Sequence, residues 1–214
     1  MQFPQYPFTS VLIVVVTSAI FLTPGILKFF RYLCPFFKEH LPLGVSFGIF
    51  ALVLASILEF PIIFVKVPFL IALTAAVVEE PLKVFIPKFF LKNEQWLYGV
   101  LLSGFFFGVF EGLYAMVIVI ILGLSPLLAL LRVFLVFLHS LWTGISAITL
   151  RKGSPSGLFV SMFLHFLYNY SMLSSIHDVF AVVGAVISIS LTGLISIIEI
   201  PDGGKNLSHK NNTE

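Results

Sequence analysis

Charge is what this sequence has least of. Ten Asp and Glu and 12 Lys and Arg are spread over 214 residues, 10% of the chain, against about 25% in soluble domains. So few ionisable groups cannot clothe a water-soluble globule of this size, and they exclude a disordered chain and a nucleic-acid binder. Cysteine is as scarce. Cys34 alone can close no internal bridge, which excludes a small secreted scaffold built on disulfides. What fills the chain instead is apolar: 59% hydrophobic residues, 25 of them Phe, and a mean hydropathy of +1.09. That composition defines a polytopic integral membrane protein whose surroundings are the lipid bilayer.

A membrane-crossing helix needs about 20 predominantly apolar residues. Read between charges and turn residues, about seven such stretches emerge, at 8–30, 43–65, 67–90, 97–122, 127–150, 158–175 and 179–200. The connections are short and carry the breakers, so consecutive helices are expected to be antiparallel neighbours in one all-α transmembrane bundle over 1–200. The polar segment 201–214 is expected to be a disordered tail, and its two glycosylation sequons, at Asn206 and Asn211, are expected to be silent. Lys28, Arg31, Lys38, Lys88, Lys92, Arg151, Lys152, Lys205 and Lys210 fall on one side of this arrangement and only Lys66 on the other. Basic residues mark the cytoplasmic side, so the N-terminus is placed outside and the C-terminus in the cytoplasm.

Against this apolar background several residues are out of place. Glu79, Glu80, Lys83, Glu111, Arg132, His139 and His165 all lie inside the stretches. Five ionised groups among them would cost roughly 12–17 kcal/mol if none were paired or wetted. Glu79–Glu80, Glu111, His139 and His165 also fall near the middle of four successive stretches, so four neighbouring helices deliver polar groups to one depth. Helical spacing sorts them further. Glu79 and Lys83 are four residues apart and Glu80 and Lys83 three, so the lysine can neutralise one of the two acids. Phe107, Glu111 and Tyr114 form one stripe beside the small residues Gly104, Gly108 and Gly112. Arg132, His139 and Thr143 share a face, with Trp142 next to it, and Ser161, His165 and Asn169 repeat at four-residue steps. Such polar lines are expected to face the bundle interior or a water cavity.

Glu79-Glu80-Pro81-Leu82-Lys83 reads EExxK, Phe107 to Glu111 reads FxxxE, and His165 to Asn169 reads HxxxN. In this order, with Tyr98-Gly99 opening the fourth stretch and the histidine segment His139-Ser140-Leu141-Trp142-Thr143-Gly144, the chain from about Ala72 to Met172 resembles the PrsW family of intramembrane proteases. That family lies within the superfamily of CAAX prenyl endopeptidases and bacteriocin-processing enzymes. Asn169 stands where PrsW-type members usually have Asp, and HxxxN is the CAAX branch's form. The resemblance implies hydrolysis of a peptide bond in a single-span or other membrane protein by an activated water. It implies Glu79 as base, with Glu80 paired to Lys83. His165 and Asn169 would polarise the carbonyl, and Glu111 and His139 would orient the water or protonate the leaving amine. Lys83 or Arg132 would keep the basic carboxylate charged, with Thr143 in support.

Rival readings meet the same inventory. The aspartates, Asp178 and Asp202, lie at stretch ends, which excludes a double-aspartate protease. Gly44-Val45-Ser46-Phe47-Gly48 matches GxSxG but opens a helix, without the strand–turn–helix elbow that motif requires. A zinc ion on Glu79, Glu111, His139 and His165 is the chemical alternative. However, no helix supplies two imidazoles, and Lys83 would repel a divalent cation, so metal-free hydrolysis without a cofactor is expected. A non-catalytic scaffold resembling the Aph subunit of γ-secretase ranks second, and a proton-coupled transporter third. The charge asymmetry yields a first test. A Ser208→Cys variant should label with an impermeant maleimide only after cells are opened, and labelling of intact cells would overturn the orientation.

Overall fold

The computed structural model describes residues 8–121, 126–174 and 179–202. Within them the chain is all helical: α1 (Phe8–Leu33), α2 (Phe37–Ile63), α3 (Pro68–Phe90), α4 (Gln95–Ile121), α5 (Pro126–Arg151), α6 (Ser156–Leu173) and α7 (Val179–Glu199), with a 3₁₀ turn, Cys34–Phe36, between the first two. Among the described residues four segments are long and apolar enough to cross a membrane: Thr9–Ile62, which takes in nearly all of α1 and α2, then Gln95–Val117, Val133–Arg151 and Phe180–Glu199. The other two helices, α3 and α6, are the ones whose apolar run is broken by Glu79, Glu80 and Lys83 and by His165 and Asn169. The expected tail and its sequons lie outside the described residues beyond Asp202.

Two expectations need correction. α2 begins at Phe37 and runs through Pro42, although 31–42 reads as a connection. The reason is tertiary: the His40 ring is buried and stacks nearly parallel on Tyr98 of α4, centroids 5.4 Å apart, which holds the first turns of α2 in helical register. Second, α1 and α2 are joined by one turn yet are not packed partners. α1 lies on α5 and α7, whereas α2 lies on α3 and α4. A short link fixes how close two helix ends are but not which faces meet, and here the pair splays.

Small residues set the closest approaches, as expected where lipid supplies no hydrophobic drive between helices. Gly44 and Gly48 of the GxSxG stretch face Leu102 and the backbone of Phe106 and Phe107 on α4, while Ser46 donates its hydroxyl to the Pro42 carbonyl at 2.9 Å. That motif is therefore a helix-packing stripe. Gly104 leaves the space that Thr143 fills, and Gly108 faces the Val136 backbone and the His139 Cβ across α5. α4 and α5 can thus approach closely one turn from Glu111, which brings His139 to it. Basic and acidic residues gather at one end of the bundle. Arg151 pairs with Glu94 at 3.0 Å, Lys152 with Glu199 at 2.7 Å and Lys28 with Asp202 at 3.5 Å, tying the ends of α1, α5 and α7 to the α3–α4 connection.

A methyl added at Gly108 would stand 2.9 Å from the Val136 carbonyl oxygen and 3.0 Å from its Cα. Backbone cannot yield there without parting the helices. Gly108→Val should therefore destabilise the protein by about 1–3 kcal/mol, while Val117→Ala on the lipid-facing side of α4 should stay within about 0.5 kcal/mol. Thermal unfolding in detergent measures both, and equal effects would refute the packing role of Gly108.

Candidate functional site

Glu79, Glu80 and Lys83 from α3, Glu111 from α4, His139 from α5 and His165 and Asn169 from α6 meet inside the bundle, so four helices do deliver one polar cluster. Glu80, Lys83, His139 and His165 have no exposed surface, and Glu79 retains 6%. The hub is Glu80. Its Oε1 accepts a hydrogen bond from Lys83 Nζ at 2.5 Å and from His165 Nδ1 at 2.9 Å. Lys83 also lies 2.8 Å from His139 Nδ1 and over the Phe107 ring at 4.7 Å. Helical spacing allows Lys83 either acid, Glu79 four residues back or Glu80 three, and the structure pairs it with Glu80.

These contacts select the imidazole tautomers. An ammonium only donates, so His139 accepts from Lys83 at Nδ1 and carries its proton on Nε2. That nitrogen sits 2.7 Å from Glu111 Oε2. The pair is in ionic contact, although the N–H axis passes off the oxygen and neither atom completes a hydrogen bond. His165 donates from Nδ1 to the Glu80 carboxylate, so its Nε2 presents a lone pair, which the Asn169 amide meets through Nδ2 at 2.8 Å. Asn169 therefore acts here as a donor, a role that needs no ionisation.

Packing holds the rings in place. The Trp142 indole stacks on His165 at 4.7 Å and 16° and donates Nε1–H to Thr192 of α7 at 2.9 Å. Ser161 donates to the Trp142 carbonyl at 2.7 Å and Ser188 to the Leu164 carbonyl at 2.7 Å. The expectation of a polar line 161–165–169 facing inward holds for Ser161 and His165, both fully buried. Thr143 is buried against Gly104, and its hydroxyl has no hydrogen-bond partner among the described residues. The Arg132 side chain lies outside the described residues. Tyr114 departs from its stripe. Phe107 is fully buried, but Tyr114 is 68% exposed and faces outward beside α2.

Glu79 lacks the Lys83 contact that Glu80 makes, although Glu80 Oε2 is likewise without a hydrogen-bond partner. Glu79 Oε2 is buried without a hydrogen-bond partner and lies 3.8 Å from His165 Nε2. Glu79, His139 and His165 bring one donor atom each within 4.8 Å of one another, a spacing that three zinc ligands could use. The lone pairs they would need are engaged, that of His139 Nδ1 by Lys83 and that of His165 Nε2 by Asn169. An ammonium in the coordination sphere does not fit a divalent cation. Glu111, expected in such a set, is not part of that convergent group.

One acid was overlooked by sequence reasoning. Glu59 of α2 is half-buried, with an orphaned Oε1, and interacts electrostatically with Glu111, Lys83 and Glu79. Its signal was available: it is the only charged residue of the 43–65 stretch, and an acid within a membrane span is a site candidate by default. Trp142 and Thr192 were invisible as partners, since no spacing rule joins α5 to α7.

Comparison with known proteins yields no match, whether to a family model, a curated protein or a solved structure. The hydrogen bonds alone set up a sharp contrast between the two neighbouring acids. Glu80→Gln should strand the Lys83 ammonium and cost about 3–5 kcal/mol. Glu79→Gln removes an acid without a hydrogen-bond partner at Oε2 and should change stability by less than about 1 kcal/mol. Chemical or thermal unfolding in detergent tests this, with Glu80→Gln/Lys83→Met expected to recover most of the loss. Equal sensitivity of the two acids would contradict the assignment of Glu80 as the hub.

Proposed function

We propose that the chain is an intramembrane endopeptidase of seven spans that hydrolyses a peptide bond of a membrane-embedded protein through a carboxylate-activated water. One observation carries the reading: two adjacent glutamates differ in their partners. Glu80 is tied through Oε1 to the Lys83 ammonium and to His165, whereas Glu79 has no lysine partner and stands with a buried, unpartnered Oε2 beside the His165 edge. A carboxylate held in place without a partner is available to take a proton.

In this mechanism Glu79 accepts a proton from a water, whose oxygen forms the new bond to the substrate carbonyl carbon. The amide N–H of Asn169 not directed at His165 stabilises the oxyanion. As the C–N bond breaks, Glu79 returns the proton to the leaving amine, and Glu111 with His139 Nε2–H flanks the water. Lys83 and Glu80 take no proton; they hold both histidines in the tautomers described above. No step requires a metal, because the lone pairs that would bind one are already engaged. The basic edge formed by Lys28, Arg151 and Lys152 supports a cytoplasmic C-terminus. A scaffold role is the second reading, favoured by how completely the Lys83–Glu80–His165–Asn169 chain satisfies itself.

The test is cleavage of single-span peptides by purified protein, with chelator treatment and metal analysis alongside. Glu79→Gln should lower kcat by at least about 10³-fold while substrate binding survives, and activity should persist after exhaustive chelation. Full activity of the variant would remove the proposed base. Stoichiometric zinc whose removal abolishes activity would move Glu79, His139 and His165 into ligand roles.

A further inference from the structure

Between α2 and α4 a groove of about 500 Å³, open to the surrounding lipid, is lined by Leu52, Val53, Ser56, Ile57, Phe60 and Tyr114. Its residues lie on the same helices as the two outer acids. Glu59 follows Ser56 by three positions and precedes Phe60, and Glu111 precedes Tyr114 by three, so both acids lie within one helical turn of residues that line the groove. Behind them is the nine-tenths buried Glu79, whose Oε2 has no hydrogen-bond partner and which interacts electrostatically with both. Glu59, Glu79, Glu80 and Glu111 face one lysine, Lys83. Even with Arg132 counted on the cationic side, the acids outnumber the cations four to two.

We propose that Glu59 and Glu111 form a subsite for a basic side chain, Lys or Arg, of a membrane-spanning peptide that reaches the cluster through the α2–α4 groove. This rests on the peptidase reading and names the class of substrate. Charge complementarity carries it, because a cation on an incoming peptide would find acids here that Lys83, already held by Glu80, does not pair. The groove shape selects the kind of cation. Among the described residues, the donor atoms that converge closely enough for one ion belong to Glu79, His139 and His165, without Glu59 or Glu111. Acids spread this widely suit an extended cation better than a bare metal. A lysine or arginine brings an alkyl stem for the apolar walls and a charged head for the rings of Phe60 and Tyr114.

The experiment measures equilibrium binding of fluorescent single-span peptides to the full chain carrying Glu79→Gln, so that hydrolysis does not interfere. One peptide has a Lys in the outer third of its apolar stretch, and its twin has Gln there. The Lys peptide should bind about tenfold more tightly. Adding Glu59→Gln should erase that preference while leaving affinity for the Gln peptide unchanged, and Glu59→Asp should retain part of it. Equal binding of the two peptides would overturn the proposal even if the Glu59 variant failed to fold. It would equally be overturned by a preference that survives Glu59→Gln, or by one set instead by Arg132→Gln or by a divalent cation held at Glu59. A parallel cleavage arm with the unsubstituted chain separates the two readings. Lys-selective binding without hydrolysis would defeat the peptidase and leave the subsite standing, whereas hydrolysis indifferent to the Lys would do the reverse.

Discussion

The structure depends on one buried ammonium. Lys83 sits with no exposed surface in the middle of a helix bundle, where an unpaired charge would cost several kcal/mol. Everything around it is arranged to answer that cost: the Glu80 carboxylate three residues back on α3, the His139 lone pair from α5 and the face of Phe107 from α4. Because the ammonium can only donate, it settles the His139 tautomer. Because it engages Glu80, it leaves Glu79 as the second, unengaged acid. A buried ion pair is weak evidence of stability in itself. Its consequence here is cross-linking: Lys83, His139 and Phe107 tie α3 to α5 and α4, and His165 joins α6 to them through Glu80.

Helix packing and site chemistry are therefore not separable. Gly108 admits α5 close enough to set His139 beside Glu111, and Gly104 admits Thr143. Trp142, anchored by Thr192 of α7, covers the face of His165. The polar cluster is covered by aromatic rings on one flank, and the α2–α4 groove runs beside the helices that carry Glu59 and Glu111.

Much of this was legible in the residues. Polar groups in apolar helices have few places to go, so Glu79, Glu80, Glu111, His139 and His165 at one depth pointed to a shared interior, and the helix limits followed from turns and charges to within a few residues, apart from the start of α2. What escaped the sequence was set by contacts between distant faces. The stacking of His40 on Tyr98 extends α2, and the one-turn link of α1 to α2 conceals that their partners differ. Tyr114 keeps the helical phase of Phe107 yet faces out, because exposure depends on which helices reach that height. Glu59 stands alone in its stretch, with no charged neighbour at helical spacing to signal its part in the cluster, and which of Glu79 and Glu80 pairs with Lys83 awaited the direction of the lysine side chain.

The central claim is that Glu79 activates water rather than attacking the peptide itself. Single-turnover cleavage of a peptide in H₂¹⁸O by the purified protein tests it most directly. Direct water attack places one ¹⁸O in the new C-terminal carboxylate of the product in the first turnover and leaves Glu79 unlabelled. A first-turnover product without ¹⁸O, with label appearing instead in the Glu79 carboxylate, would show a covalent acyl intermediate and contradict the account.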